Sequence, residues 1–362
     1  MNQHESALPV YEKDNAFPYN SGSGAALQDP GESRAVTLED PVYNMDKLYE
    51  AAAERGHVCV GLDTAAEYIP PGERSNAVSN ARAALAFNRA LIDATIDAAA
   101  CYKVQIAYYE AMGLEGLRTY AETLRYIRGR GALVIADIKR GDIADTARRY
   151  AQAQFEGEFE ADFVTLSPYM GMDSIEPWVS YAESAGKGAF VLMRTSNKGM
   201  RDFEYLELKD EGGNPAHGGA PLRVYDAVGD RLSALAEARL GSHGYGAFGA
   251  VVGADPKSGA EREEAAAIRS RRGNLFFLIP GYGAQGGAAE DAALLLRDGN
   301  GGVVNASRSI LRAWTAELKA AGKVYEGPQC QADNRFAAEA ARRAVVEMRD
   351  AIRKAASTPR SA

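Results

Sequence analysis

One stretch concentrates ionisable groups at the end of an apolar run: Val134-Ile-Ala-Asp137-Ile138-Lys139-Arg140-Gly141-Asp142-Ile143-Ala144-Asp145-Thr146. Asp137 and Lys139 are two apart, so on a strand both side chains point to one face. Upstream, Cys101-Tyr-Lys103-Val-Gln-Ile-Ala sets a lysine among strand-forming residues, and Val58-Cys-Val-Gly-Leu-Asp63 ends in a carboxylate. Burying unpaired charge is expensive, so such groups are either paired core ions or a catalytic constellation at an open mouth. Asp142 follows a glycine turn and is expected to open the next helix, sharing a face with Thr146 four residues on. It also reads as a plain N-cap, with Asp137 and Lys139 as a structural ion pair. The recurrence of an ionisable group on three successive strands favours the functional reading.

A second set has the chemistry of anion binding. Phe277-Leu-Ile-Pro280-Gly281-Tyr-Gly283-Ala-Gln285-Gly286-Gly287 ends one apolar run, and Val303-Val-Asn305-Ala-Ser307-Arg308 ends the next. Gly-rich turns present backbone N–H groups to a phosphate, and an arginine grips its oxygens bidentately. Arg308, with Ser307 beside it, is therefore a candidate binding residue. Gly281-x-Gly283-x-x-Gly286 also fits the dinucleotide fingerprint, but it lies near the end of the strand–helix alternation and no acid follows about 20 residues on.

The elements that must position these residues alternate along the chain. Short β-rich runs fall at 57–63, 101–107, 132–139, 162–167, 188–195, 247–254, 275–280 and 302–306. Helical stretches rich in Ala, Leu, Glu and Arg follow, at 81–99, 116–129, 143–155, 222–240, 260–272 and 288–297 among others. Eight such units in about 260 residues predict an α/β fold, a closed (β/α)8 barrel, rather than an open doubly wound sheet. The barrel is expected over 46–322, as a single domain, with a Gly-rich insertion at 198–220 that would be a lid or a surface loop. Residues 1–45 are rich in Gly, Ser, Pro and acids and are expected to be a loosely ordered extension. Residues 323–362 are expected to be a C-terminal helix and tail. Seven acids against two basic residues precede residue 41, whereas 335–362 holds seven basic residues and three acids. The two ends could touch; the preferred expectation is that each is a solvated segment.

Composition excludes several classes. A hydrophobic fraction of 46% with 25% charged residues is that of a globular protein able to bury a core. The net charge of −8 over 362 residues argues against nucleic acid and against a polybasic membrane anchor. No apolar run approaches a membrane span of about 18 residues. Residues 1–7 lack the basic-then-apolar order of a secretory signal, so a cytoplasmic location is expected. Three cysteines (Cys59, Cys101, Cys330) without CxxC or zinc spacing read as small hydrophobes in a reducing compartment. The four histidines, His4, His57, His217 and His243, have no visible partner and no assigned role.

With these residues in view, the sequence resembles the orotidine 5′-phosphate decarboxylase family, in its longer bacterial subgroup. Asp137, Lys139, Asp142 and Ile143 look like the family's Asp-x-Lys-x-x-Asp-Ile signature. Lys103 matches its second-strand lysine and Asp63 its first-strand aspartate. Ser196 in Arg194-Thr-Ser-Asn-Lys-Gly199 matches the serine that contacts the pyrimidine, Pro280 and Gln285 the seventh-strand loop, and Arg308 the phosphate arginine. The resemblance spans roughly 56–311. It implies a cofactor-free, metal-free homodimer that converts orotidine 5′-monophosphate to UMP and CO2. It also implies that the groups matching Asp142, Ile143 and Thr146 enter the partner's site. Lys139 would neutralise and protonate the C6 carbanion, Asp137 would lie beside the leaving carboxylate, and Asp63 would hold the ribose.

Two rivals differ in kind. Sugar-phosphate decarboxylases and aldolases of related barrels hold an enediolate with magnesium, which needs a carboxylate on the second strand. Lys103 occupies that position and would repel the metal. A non-catalytic phosphate-binding barrel would be expected to lack part of the charged set, and all of it is present.

Overall fold

The computed structural model describes residues 43–209, 221–254, 256, 258–283 and 288–358. Eight strands close into one barrel in sequence order: β1 (Val58–Gly61), β2 (Cys101–Gln105), β3 (Leu133–Arg140), β4 (Phe163–Leu166), β5 (Gly188–Arg194), β6 (Phe248–Val252), β7 (Phe277–Ile279) and β8 (Gly302–Ala306). Every neighbouring pair is parallel, and β1 pairs with β8 through Val58 and Val304 to seal the sheet. The strands are covered on both faces, so they read as nearly unbroken apolar runs such as Phe248-Gly-Ala-Val-Val252. Each expected run contains a strand: β8 fills its run, β3 starts one residue late and runs one residue past the expected end, and the others are trimmed by one or more residues.

The helix Asn44–Arg55 precedes β1 and closes the end of the barrel where the strands begin. The Asn44 N–H donates to Gly186 O just before β5 (2.8 Å), and Asn300, just before β8, donates its side-chain amide to Tyr49 O (3.1 Å). Tyr43, Met45, Leu48 and Ala52 are buried beneath it, so ordered packing begins within the last residues of the expected extension. The remainder of that extension, residues 1–42, lies outside the described residues.

The C-terminal helix Asn334–Ser357 departs from expectation: it is not solvated but packs against the helix Asn80–Thr95 and against β1. Its buried positions Ala337, Ala341, Val345, Met348 and Ile352 recur every three to four residues and form one apolar stripe. Arg343 pairs with Glu317 at 2.7 Å, and Arg342 with Asp97. Arg342 and Arg343 thus lie along the flanks of a docked helix and meet acids outside it, whereas Arg335 and Arg349 pair with Glu339 and Asp350 of the helix itself.

The insertion's described flanks form a short antiparallel stem, with Glu207 bridging Arg223 and the Leu208 N–H donating to Leu222 O at 2.8 Å. Residues 210–220, its tip, lie outside the described residues. Among the described residues no helix is long and apolar enough to cross a membrane.

Candidate active site

Strand parity carries the charged residues to the inside of the barrel, near the ends where the strands finish. On β2, Lys103 points inward and places its Nζ 2.7 Å from Asp137 Oδ2 on β3 and 3.3 Å from Asp63 Oδ1 just past β1. Lys139 Nζ reaches the other oxygen of Asp137 at 2.6 Å. One carboxylate therefore sits between two ammonium groups, and the first of these also meets a second carboxylate.

Lys103 and Asp137 are 5% and 4% exposed, so neither charge would be tolerated alone. Burial by itself would push the Asp137 carboxyl up; the two lysines outweigh it and hold it well below the usual carboxylate range. Burial would likewise pull Lys103 down, and Asp137 with Asp63 overcomes this and keeps it above the ordinary lysine value. The two groups titrate as one coupled set with both charges retained near neutral pH.

Two residues not singled out in the sequence complete the cradle. The Thr165 hydroxyl on β4 donates to Asp137 Oδ1 at 2.8 Å and accepts the backbone N–H groups of Ile138 and Lys139, both at 3.0 Å. Gln105 Nε2 donates to Asp137 Oδ2 at 3.0 Å. The β3–β4 register shifts between Ala136 and Arg140, and Lys139 adopts φ 45° there. That irregularity re-aims the Lys139 side chain, which is 48% exposed, toward the mouth.

Beside Asp63 lies a cavity of about 160 Å³ lined by Tyr68, Tyr108, Tyr282, Asn305, Ser307 and Arg308. The turn from β8 brings Ser307 so close to β1 that a Cβ on Gly61 would lie 2.0 Å from the Ser307 hydroxyl oxygen, so any side chain at residue 61 would displace that hydroxyl. The Ser307 hydroxyl is buried with no hydrogen-bond partner among the described residues. Among the described residues no carboxylate pairs with the exposed Arg308. An unsatisfied hydroxyl and an unpaired guanidinium on one cavity are what a phosphate would engage. Gln285 lies outside the described residues. Pro280 accepts the Ala254 N–H at 2.9 Å and ties the seventh-strand turn to the sixth. Ser196 lies half-buried in the loop after β5.

Three expected site residues stay apart from this array within one chain. Asp142 does not open the helix: the helix begins at Ala144, with Ile143 at its N-cap, because Ala144 turns the backbone through φ 48°. Asp142 and Thr146 therefore do not share a helix face through their spacing of four. The Asp142 carboxylate accepts the Ile143 N–H at 2.8 Å, Ile143 is 46% exposed, and Thr146 is exposed. None of the three contacts Lys139 or Asp137 of the same chain among the described interactions.

Residues 56–323 match the sequence pattern of the orotidine 5′-phosphate decarboxylase / HUMPS family. The orotidine 5′-phosphate decarboxylase of Clostridium perfringens is 51% identical over 310 residues, covering 86% of this chain and 98% of that one. Among solved structures, Leishmania donovani OMP decarboxylase is 32% identical with a TM-score of 0.60, over 84% of this chain and 98% of that chain. A Streptomyces avermitilis structure is 27% identical with a TM-score of 0.68, over 90% and 100%. With most of its length matched and about half of the aligned residues shared with a curated relative, this chain belongs to the orotidine 5′-phosphate decarboxylase family.

Proposed function

We propose that the protein decarboxylates orotidine 5′-monophosphate to UMP and CO2, the last step of de novo pyrimidine synthesis, in the cytoplasm and without metal or cofactor. The observation that carries this reading is the buried Asp137 carboxylate held between Lys103 and Lys139 beside a cavity furnished for phosphate. Loss of CO2 from C6 leaves an electron pair in an sp² orbital that the pyrimidine π-system cannot delocalise. Fixed charge must then stabilise it, and a preformed lysine–carboxylate array does so without reorganising. Lys139, the more exposed lysine, faces the developing carbanion and delivers its proton to C6 as general acid. Asp137 holds both lysines and lies beside the departing carboxylate.

Asp63 takes the ribose hydroxyls and Ser196 the pyrimidine. Ser307, Arg308, Gln285 and the turn at Pro280 take the phosphate, whose binding energy is available to assemble the site around the distant C6. Asp142 completes the array from a second copy of the chain, with Ile143 and Thr146 of that copy beside it. The exposure of Ile143 and Thr146, with Asp142 half-buried and turned away from Lys139, supports this arrangement. Lys103 stands where the magnesium-dependent rivals need a carboxylate, and it is already committed to Asp137 and Asp63.

The test is CO2 release from orotidine 5′-monophosphate by purified protein, with and without a chelator. Turnover unchanged by chelation is expected. No turnover, or turnover abolished by chelation, overturns the reading.

A further inference from the structure

We propose that Glu204, on the arm of the insertion leaving β5, is a positioning residue that fixes Ser196 for the base of the nucleotide. The proposal rests on the reading of Ser196 as the pyrimidine contact. It gives the insertion a task in the site that none of the residues assigned above supplies.

Ser196 sits two residues past the end of β5, where sheet hydrogen bonding stops and a loop would ordinarily be free to move. Here the loop is clamped from the insertion. Glu204 Oε2 accepts the Thr195 N–H at 2.9 Å, and Oε1 accepts the Thr195 hydroxyl at 2.7 Å. One carboxylate thus accepts the N–H of the residue immediately before Ser196 and meets its hydroxyl, which also lies 2.7 Å from Asn197 Oδ1. Glu204 is in turn held by the insertion's other arm, because the Tyr225 N–H donates to Glu204 O at 3.1 Å. Burial pushes the Glu204 carboxyl above its ordinary value, and the Thr195 bonds, which draw it down, offset part of the cost of placing it there.

The other side of the loop is equally constrained. Arg194, 2% exposed, donates from Nη1 to Gly253 O at 2.9 Å, and the Gly253 N–H returns to Arg194 O at 2.8 Å. Ser196 rides on Gly253 so closely that a Cβ at residue 253 would lie 2.9 Å from the serine Cβ. Glu264 gathers the surroundings: it pairs with Arg194 (3.3 Å) and with Arg223 (2.7 Å), which belongs to the returning arm, and accepts the Tyr205 hydroxyl. Ser196 is therefore held between Gly253, just past β6, and a carboxylate delivered by the insertion. A charge-assisted pair of bonds to one residue is the kind of support that keeps a contact within tenths of an ångström.

The experiment compares Glu204→Ala, Glu204→Gln, Thr195→Val and Ser196→Ala with the unaltered protein. It measures kcat and KM for orotidine 5′-monophosphate, inhibition by UMP and by ribose 5-phosphate, and thermal stability. Ribose 5-phosphate carries the phosphate and sugar without the base. Glu204→Ala is expected to weaken UMP about tenfold, as Ser196→Ala does, and to leave ribose 5-phosphate within about twofold. Glu204→Gln, which keeps an acceptor for the Thr195 N–H, is expected to stay within about threefold for both. Equal weakening of the two inhibitors by Glu204→Ala overturns the proposal, because the arm would then support the whole mouth. So does an unaltered UMP constant in Glu204→Ala when Ser196→Ala shows the loss. An unaltered UMP constant in Ser196→Ala itself removes the reading of Ser196 and the proposal with it, while turnover by the unaltered protein shows that the decarboxylase reading stands. Should Glu204→Ala fail to fold, Thr195→Val removes half of the clamp and supplies the same comparison.

Discussion

Lys139 reaches the Asp137 carboxylate across 2.6 Å from a backbone held at φ 45°, two residues further along the same strand. A left-handed backbone is costly for any residue with a Cβ and persists where the surroundings over-determine it. Here the Thr165 hydroxyl, accepting the N–H groups of Ile138 and Lys139, supplies that constraint. Lys139→Ala is expected to keep nucleotide binding while losing nearly all decarboxylation, since charge stabilisation and the proton vanish together. The loss should be at least about 3 kcal/mol of barrier, or roughly a hundredfold in kcat. Lys139→Gly should be equally inactive yet more stable than Lys139→Ala by about 1 kcal/mol, because glycine accepts the left-handed region. Single-turnover kinetics and thermal melts check the two halves; decarboxylation retained within about tenfold would refute the role of Lys139.

Asp137→Ala tests the other partner. It strands Lys103, a 5% exposed ammonium, with only Asp63 at 3.3 Å. Removing one member of a buried pair typically costs about 3–5 kcal/mol. The variant should melt far below the unaltered protein as well as lose activity. A melting point unchanged by the substitution would show that Lys103 finds another partner or water.

Arg308→Ala should lower kcat/KM for orotidine 5′-monophosphate by at least about tenfold, the loss of one charge-assisted bidentate contact. It should scarcely touch the much slower reaction of orotidine, which has no phosphate. Equal losses with both substrates would mean that Arg308 acts through folding.

The barrel and its inward charges were legible because both follow from short-range rules. Alternating strand and helix patterns give the eight-stranded order, and a spacing of two puts Asp137 and Lys139 on one face. Thr165 and Gln105 were missed because uncharged polar residues in strands leave no compositional signal. Strand parity would have found Gln105, two residues after Lys103. The helix start at Ala144 rather than Asp142 depends on a positive φ at a non-glycine residue, which sequence rules disfavour. The docked C-terminal helix was misjudged because its many alanines and arginines hid an apolar stripe that only the three-to-four spacing reveals.

His57 gives a pH dependence remote from the chemistry. Both its ring nitrogens are buried without a hydrogen-bond partner among the described residues; Gly299 and Asn300 are its polar neighbours and Arg353 the nearby charge. Burial, then Arg353, lowers its pKa from 6.5 to about 4. The folded state thus holds the ring neutral while the unfolded chain takes up a proton below pH 6.5. Stability from this group is fully present above pH 6.5 and is lost as pH falls toward 4, by about 3 kcal/mol in all. Urea unfolding between pH 7 and pH 4.5 should show that decline, and His57→Gln should flatten it. Parallel curves for the two proteins would assign the decline to other groups.

Asp142 lies three residues past Lys139, yet its carboxylate turns to the Ile143 N–H and not to the lysine. If a second copy supplies it, two inactive variants should repair each other. Lys139→Ala disables the home site and Asp142→Ala the site across the interface. In a mixed dimer one site receives both lesions and the other receives neither. Random pairing of equal amounts makes about half of the dimers mixed, so roughly a quarter of all sites should regain activity. Mixing the two variants under conditions of subunit exchange, followed by the CO2 assay, reads this directly. If exchange is demonstrated by mass and no activity returns, the site is completed within one chain and Asp142 serves only its own turn.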